Sequence, residues 1–363
     1  MAKRVGVDKW LFCTVVLLVL FGLVMVFSAS AVQAKAENGS PYYYVLRQAI
    51  FALAGMVFLF GAMQIDYRRY NNPKVVFPVV AVTAVLLLAV FAMPAVKGSH
   101  RWFRFPGFSF QPSELAKPAI ILFLAYFLQT RLHKMDDWRG TVLRAVVPSL
   151  LLTALILKEP DLGTAIVCMA VTVLMLYLAG MQLRYIGIGA ALATPVLYYM
   201  LFHVAFRRAR IMAFLHPEAD PRGNGFHILQ SKIAVGTGGL FGVGLMEGIQ
   251  KLFYLPEAHT DFIYANICEE LGLMGALFVL ALFIMLGYRG LRAALMATDP
   301  FARFLAFGIT TAILIQAFFN ISVVVDLLPT KGITLPFISF GGTSLFVTLI
   351  GMGVLLNITR AID

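Results

Sequence analysis

Long apolar runs alternate with short polar breaks from one end of the chain to the other. Runs of membrane-spanning length can be drawn ten times, near 10–32, 48–65, 75–96, 114–130, 145–158, 163–181, 185–205, 263–288, 301–327 and 343–358. The fifth is short for a bilayer. The runs are continuous rather than alternating, which favours helices over a β-barrel. The expected fold is therefore an all-α polytopic membrane protein of about ten transmembrane helices. A large extracytoplasmic loop is expected between spans seven and eight. No soluble domain of appreciable size fits between the runs, so 1–363 reads as a single integral membrane domain with an insertion at about 206–262.

Composition agrees: 60% of residues are hydrophobic and only 13% charged. The first run, Trp10 to Val32, is too long for a signal-peptide core and has no clear cleavage site, so it reads as an uncleaved span. Cys13, Cys168 and Cys268 lie in or beside apolar runs without paired spacing, as buried small hydrophobes do.

The net charge of +11 changes the picture more. Lys3, Arg4, Lys9, Arg68, Arg69, Lys74, Arg131, Lys134, Arg139, Arg144, Arg184, Arg289, Arg292, Arg303 and Arg360 fall on one side of the ten-span layout. That side should be cytoplasmic, with both termini there. Tyr42, Tyr43 and Tyr44 suit an interfacial belt on the other face. Three segments put cations on that other face as well. They are Lys97-Gly98-Ser99-His100-Arg101-Trp102-Phe103-Arg104 continuing to Lys117, the insertion, and Leu328-Pro329-Thr330-Lys331-Gly332 continuing to Gly342. Topology and anionic lipid explain part of the excess. The outer-face cations point to an anionic ligand. No basic soluble module exists to hold nucleic acid.

Within the insertion, Arg207, Arg208 and Arg210 precede Ile211-Met212-Ala213-Phe214-Leu215, which predicts an amphipathic interfacial helix. Phe226 to Val235 predicts a second, after the turn-rich Asp220–Gly225 segment. Glycines 236, 238, 239, 242 and 244 do not have nucleotide-loop spacing and read as close packing or loop flexibility.

Candidate chemistry gathers on the outer face. Glu114 and Lys117 share a helix face, either as an interfacial ion pair or with Lys117 facing a phosphate; Ser113 is a candidate cap. Arg101 and Arg104 flank Trp102, which suits a belt position or a sugar-phosphate ligand. Glu159 and Asp161 bracket Pro160, where they suit a helix cap or a ligand site. Asn320 and Asp326 read as polar groups satisfied by neighbouring helices. The segment Tyr254-Leu255-Pro256-Glu257-Ala258-His259-Thr260-Asp261-Phe262 packs two acids and a histidine beside an apolar run. An ionisable group there is costly, and Asp261 is a candidate general base or a simple cap.

These segments resemble the SEDS family (shape, elongation, division and sporulation), which includes FtsW, RodA and SpoVE. Arg101-Trp102 with Gln111-Pro112-Ser113-Glu114-Leu115-Ala116-Lys117 is similar to the family's RW…QPSELAK segment. Glu159-Pro160-Asp161-Leu162-Gly163-Thr164 resembles its EPDLGT motif, and Pro256 to Ile263 with Glu269-Glu270-Leu271-Gly272 resembles PEAHTDFI…EELG. Leu335 to Ser344 resembles LPFISYGGSS, with Phe340 and Thr343 replacing a common Tyr and Ser. The Leu328–Gly332 segment is most like the division-type FtsW and sporulation-type members. The resemblance implies an inverting peptidoglycan glycosyltransferase that polymerises lipid II at the outer face of a bacterial cytoplasmic membrane. It implies a class B penicillin-binding protein as partner, and Asp261 as the essential acid. Arg101, Trp102, Glu114, Lys117 and Lys331 would then bind substrate, with Lys117 the preferred phosphate cation. Glu257, His259, Glu159 and Asp161 would support the site. Cations or a divalent metal ion (Mg or Mn) would stabilise the leaving diphosphate. The alternative within the resemblance is a lipid II flippase, which would need a continuous polar path through the bundle.

Overall fold

The computed structural model describes residues 6–94, 99–105, 108–221, 223 and 225–361. Lys3, Arg4, Lys97, Gly98, Arg222 and Asn224 lie outside them. Among the described residues twelve α-helices are formed. The first seven are α1 (Lys9–Asn38), α2 (Tyr43–Gln64), α3 (Pro73–Ala89), α4 (Pro112–Gln129), α5 (Leu143–Lys158), α6 (Leu162–Leu178) and α7 (Leu183–Phe202). The rest are α8 (Ala205–Leu215), α9 (Phe226–Gly238), α10 (Ile263–Met296), α11 (Pro300–Val324) and α12 (Gly342–Thr359). Helices α1–α7 and α10–α12 occupy the ten predicted spans. Eight helices among the described residues are long and apolar enough to cross a membrane by length and composition, and α6 is a shorter apolar helix.

The short fifth span has a physical remedy. A π-helical turn at Trp138–Val142, capped by the Asp137 side chain, runs into α5 and extends the apolar helix to Trp138–Lys158, 21 residues. The two helices expected in the insertion are α8 and α9. A reading of helices alone missed two three-residue strands, β1 (Phe103–Phe105) and β2 (Phe108–Phe110), paired antiparallel with Phe103 opposite Phe110. Strands so short depend on local pairing and carry too little periodicity to read from sequence. Ser113 does not cap α4. Pro112 occupies the first turn, where its missing N–H costs nothing, and Ser113 donates to Asp161 instead.

The connectors fall at two ends of the bundle. One end carries the links α1–α2, α3–α4, α5–α6, α7–α10 and α11–α12, and contacts such as Gln48 to Ser339 and Arg101 to Glu159 tie them together. The other end carries the remaining links, tied by Asp8–Arg289, Asn357 to Tyr67 and Asn71 to Gln129. The core runs through α1, α4, α6, α10, α11 and α12, whose buried faces are Leu, Ile, Val, Phe and Ala. Helix α7 differs: none of its residues is buried.

Helix α10 is bent at Gly272, where φ is 64° and a side chain would meet the backbone of Leu240 and Gly242. Gly238 and Gly242 press against the carbonyls of Cys268 and Glu270 in the same way, so close packing accounts for these two of the insertion glycines. Beside the bend, the Lys251 ammonium lies 2.7 Å from Glu270, which also accepts from Ser28 of α1; both charged side chains are buried. Removing one member of such a pair strands the other. Glu270→Ala should cost about 3–5 kcal/mol, read as a lowered denaturation midpoint in detergent. The double replacement Lys251→Met/Glu270→Met should recover only part of that loss, because Ser28 and the Met246 N–H still lose their acceptor.

Candidate active site

Asp261 sits in the loop that leads into α10, one residue before the Phe262 N-cap position, so it does not cap the helix. The backbone around it is held from three directions. Asn320 of α11 donates both amide protons, one to the Asp261 carbonyl at 2.8 Å and one to the Ile333 carbonyl at 2.7 Å. Ser339 donates to the Thr260 carbonyl at 2.6 Å and receives the Leu335 N–H. The Phe340 N–H donates to the His259 carbonyl at 2.9 Å. The Asp261 loop and the 325–341 loop are thereby locked face to face. Gly332 completes the fit: a Cβ there would stand 2.8 Å from Asp261 Oδ2.

The Asp261 carboxyl is pushed up to about 7, first by burial and next by the Glu257 charge, with Asp161 adding to the rise. Arg210 and Arg101 oppose the shift. Glu257 is held at φ 55°, in the left-handed region that costs a non-glycine residue roughly 1 kcal/mol or more. Thr260 donates to its carbonyl and carboxylate oxygens.

Three further segments converge here. Arg101 donates to the carbonyls of Glu159 and Pro160 at 2.7 and 2.6 Å, fastening the strand-bearing loop to the α5–α6 link. Glu159 is fully buried; its carboxyl has no hydrogen-bond partner and is pushed up to about 8 by burial and by Asp161. Asp161 caps α6 through the Thr164 N–H and accepts from Gln111 and Ser113, so the structural reading of this acid holds. From α8, Arg210 lies 3.5 Å from the Thr330 carbonyl oxygen. Lys331 is pulled down to about 8 by burial and then by Arg207 and Arg210. Burial and the neighbouring Arg101 lower both Arg207 and Arg210. Arg101, Arg207, Arg210 and Lys331 thus form a ring of interacting cations beside a part-buried acid, and Arg210 and Arg101 act on that acid directly.

The structure does not place every expected residue in that ring. Lys117 is buried between Glu114 and Gln316, 2.7 Å from an oxygen of each. It reaches the loops only through Gln316, which donates to the Thr334 carbonyl. The ion-pair reading therefore fits Lys117 better than the phosphate-facing one. Trp102 is half-buried beside Arg101, whereas Arg104 points to the exterior. His259 is buried against Tyr44 and Phe340, with ring centroids 4.5 and 5.7 Å away, which is a packing role. Asp326 pairs with Lys232 of α9. Asn320, which the sequence marks only as a polar group needing partners, is the clamp of the site. The signal for it was present, since an amide inside an apolar span needs partners and marks what it holds.

Among the described residues no group of three or more His, Cys, Asp and Glu side chains could hold a metal ion. With Asp161 committed to its cap, the residues do not fit a divalent cation held by protein alone.

Known proteins match along the whole length. A family model described as cell cycle protein, FtsW/RodA/SpoVE, matches residues 8–362. The chain is 49% identical to a probable peptidoglycan glycosyltransferase FtsW of Geobacter metallireducens, over 95% of this chain and 92% of that protein. It is 39% identical to the stage V sporulation protein E of Bacillus subtilis, over 99% and 98%. A chain solved in work on structural coordination of polymerization and crosslinking by a peptidoglycan synthase complex superposes with a TM-score of 0.81 at 27% identity, covering 99% of this chain and all of that one. The rod shape determining protein RodA of Thermus thermophilus shares the fold, with a TM-score of 0.72 at 24% identity over 99% and 98%. The ten-span bundle, the locked loops and the similarity from end to end agree: this chain belongs to the FtsW/RodA/SpoVE family.

Proposed function

We propose that the chain is a peptidoglycan glycosyltransferase that polymerises lipid II. The observation that carries this reading is the placement of one part-buried acid, held between two locked loops, beside a group of cations at one end of a membrane bundle. In the reaction an acceptor sugar hydroxyl attacks the donor's anomeric carbon. The new C–O bond forms as the bond to the lipid diphosphate breaks, with inversion. Asp261 takes the hydroxyl proton; its raised proton affinity makes it a stronger base than an ordinary carboxylate while leaving an ionised fraction near neutral pH. The departing diphosphate carries the negative charge away, and Arg101, Arg207, Arg210 and Lys331 stabilise it. A divalent ion, Mg or Mn, would enter with the diphosphate rather than through protein ligands. The lipid-linked substrate would approach from the membrane beside α7, none of whose residues is buried.

The site end would then face outward from the cytoplasmic membrane of a bacterium, with both termini inside, as the Lys/Arg-rich links of the opposite end favour. A class B penicillin-binding protein would supply crosslinking, consistent with a structural relative studied in a peptidoglycan synthase complex. The insertion at about 206–262 is on this reading a part of the catalytic domain, since it supplies Arg207, Arg210 and Asp261.

The decisive experiment supplies labelled lipid II to the purified protein with its partner. The expected outcome is glycan polymer from the native chain and none from Asp261→Asn. Lipid translocated across liposomes without polymer would support the flippase instead. The rate should rise as pH increases through about 7, where Asp261 loses its proton, and fall as pH passes about 8, where Lys331 loses its charge. A raised carboxylate binds its proton more tightly folded than unfolded. Its ionised form therefore lowers stability as pH climbs from the usual range of 3.8 toward 7. Asp261→Asn should consequently denature at a higher temperature than the native chain at pH above about 7, despite losing activity. Asn320→Ala should lower kcat on the order of 10²-fold with little change in KM, because it frees the position of the base without touching substrate.

A further inference from the structure

The 239–254 segment exposes an unusual amount of apolar surface. Phe241 is 80% exposed, Phe253 62%, Leu240 62% and Ile249 59%. Its backbone is nevertheless fastened to the head of α10 at several points. The Val243 and Gly244 N–H groups donate to the Glu269 and Glu270 carbonyls. The Met246 N–H donates to the Glu270 carboxylate, and those of Ile249 and Gln250 donate to the Glu269 carboxylate. Lys251 is buried in its ion pair with Glu270. Irregular chain can lie against a membrane only where protein takes up its backbone polar groups, and here the carbonyls and carboxylates of Glu269 and Glu270 take up those of the 243–250 stretch, while the apolar side chains stay bare.

Two helices show the depth at which this happens. Asp8, at the head of α1, pairs with Arg289 of α10 at one end. Twenty residues along α1, Ser28 meets Glu270, nineteen residues back along α10. At 1.5 Å per residue both helices separate these polar contacts by about 30 Å, the thickness of a hydrocarbon layer. Glu270 therefore marks the far boundary of that layer, and the 239–254 segment is tied to it. The Leu273 and Met274 N–H groups bond the carbonyls of Gly239 and Leu240, and both side chains are exposed on the lipid-facing side of α10. The loop's apolar surface thus continues that of a membrane span. Glu247, the exposed charge in the segment, sets the limit of immersion at the headgroups.

We infer that 239–254 is a membrane-immersed anchor whose apolar side chains rest in the acyl chains of the leaflet on the active-site side. Glu269 and Glu270 act as its internal backbone acceptors. It would hold the loop that carries Asp261 at a fixed height over the lipid from which substrate arrives.

The test places tryptophan at Phe241 or Phe253 in the full-length protein, reconstituted in vesicles of phosphatidylcholine with or without bromine on one acyl chain. Phe278→Trp, on the exposed face of α10, is the lipid-facing reference. Emission from Trp10, Trp102 and Trp138 is subtracted using the unsubstituted protein. The expected result is loss of emission in brominated lipid comparable to that at position 278, with little quenching by aqueous acrylamide. Emission equal in the two lipids and readily quenched by acrylamide would overturn the inference, as would shielding from both quenchers, which would mean that another protein surface covers the loop. Because the reference and the two substitutions are all aromatic or apolar replacements at exposed positions, folding is checked by the same reconstitution.

Discussion

The Asn320 amide has two protons and gives each to a different loop, one to the Asp261 carbonyl and the other to the Ile333 carbonyl. Neither loop has regular structure where the bonds land, so neither could hold its own position. Buried at the end of a long apolar helix, the amide is an anchor with little freedom, and it makes the geometry of two flexible stretches depend on one rigid one. The Ser339 and Phe340 contacts then close the same seam further along. The high proton affinity of Asp261 follows from this closure. The seam buries the carboxyl and brings Glu257 near, while Arg210 and Arg101 limit how far its proton affinity rises.

Much of this architecture was legible in the order of residues. Ten apolar runs predicted the ten spans, and the only poor one, near 145–158, was lengthened by a π-turn whose cause is local backbone geometry rather than hydropathy. Asp261 stood out because an acid at the edge of an apolar run is costly. The cations Arg101 and Lys331 stood out because topology did not require them. What could not be read was which of two roles each polar residue takes. Lys117 and Arg210 look alike as cations near an interface. Only the fold shows that Glu114 and Gln316 absorb one of them while Asp261 and Thr330 lie beside the other. The same holds for Glu159 and Asp161, two residues apart: one is engaged as a cap and the other carries a carboxyl with no hydrogen-bond partner. Spacing alone cannot separate them, because their partners come from distant helices.

Glu269 and Glu270 show the reverse case. In sequence they stand only as two acids of a motif within the predicted 263–288 span. In the fold they are buried, and the glycines around them are small because the chain wraps closely about their carbonyls. Their charge is consumed in building the insertion rather than in chemistry.

The two polar rivets between α1 and α10, Asp8–Arg289 and Ser28–Glu270, also make the protein a gauge. Their spacing is set by the rise of two hydrogen-bonded helices and changes little. A bilayer thicker or thinner than about 30 Å must therefore deform around the protein, since the protein has little means of deforming itself. Acyl-chain length then becomes a control on where in a heterogeneous membrane this molecule resides, independent of any binding partner.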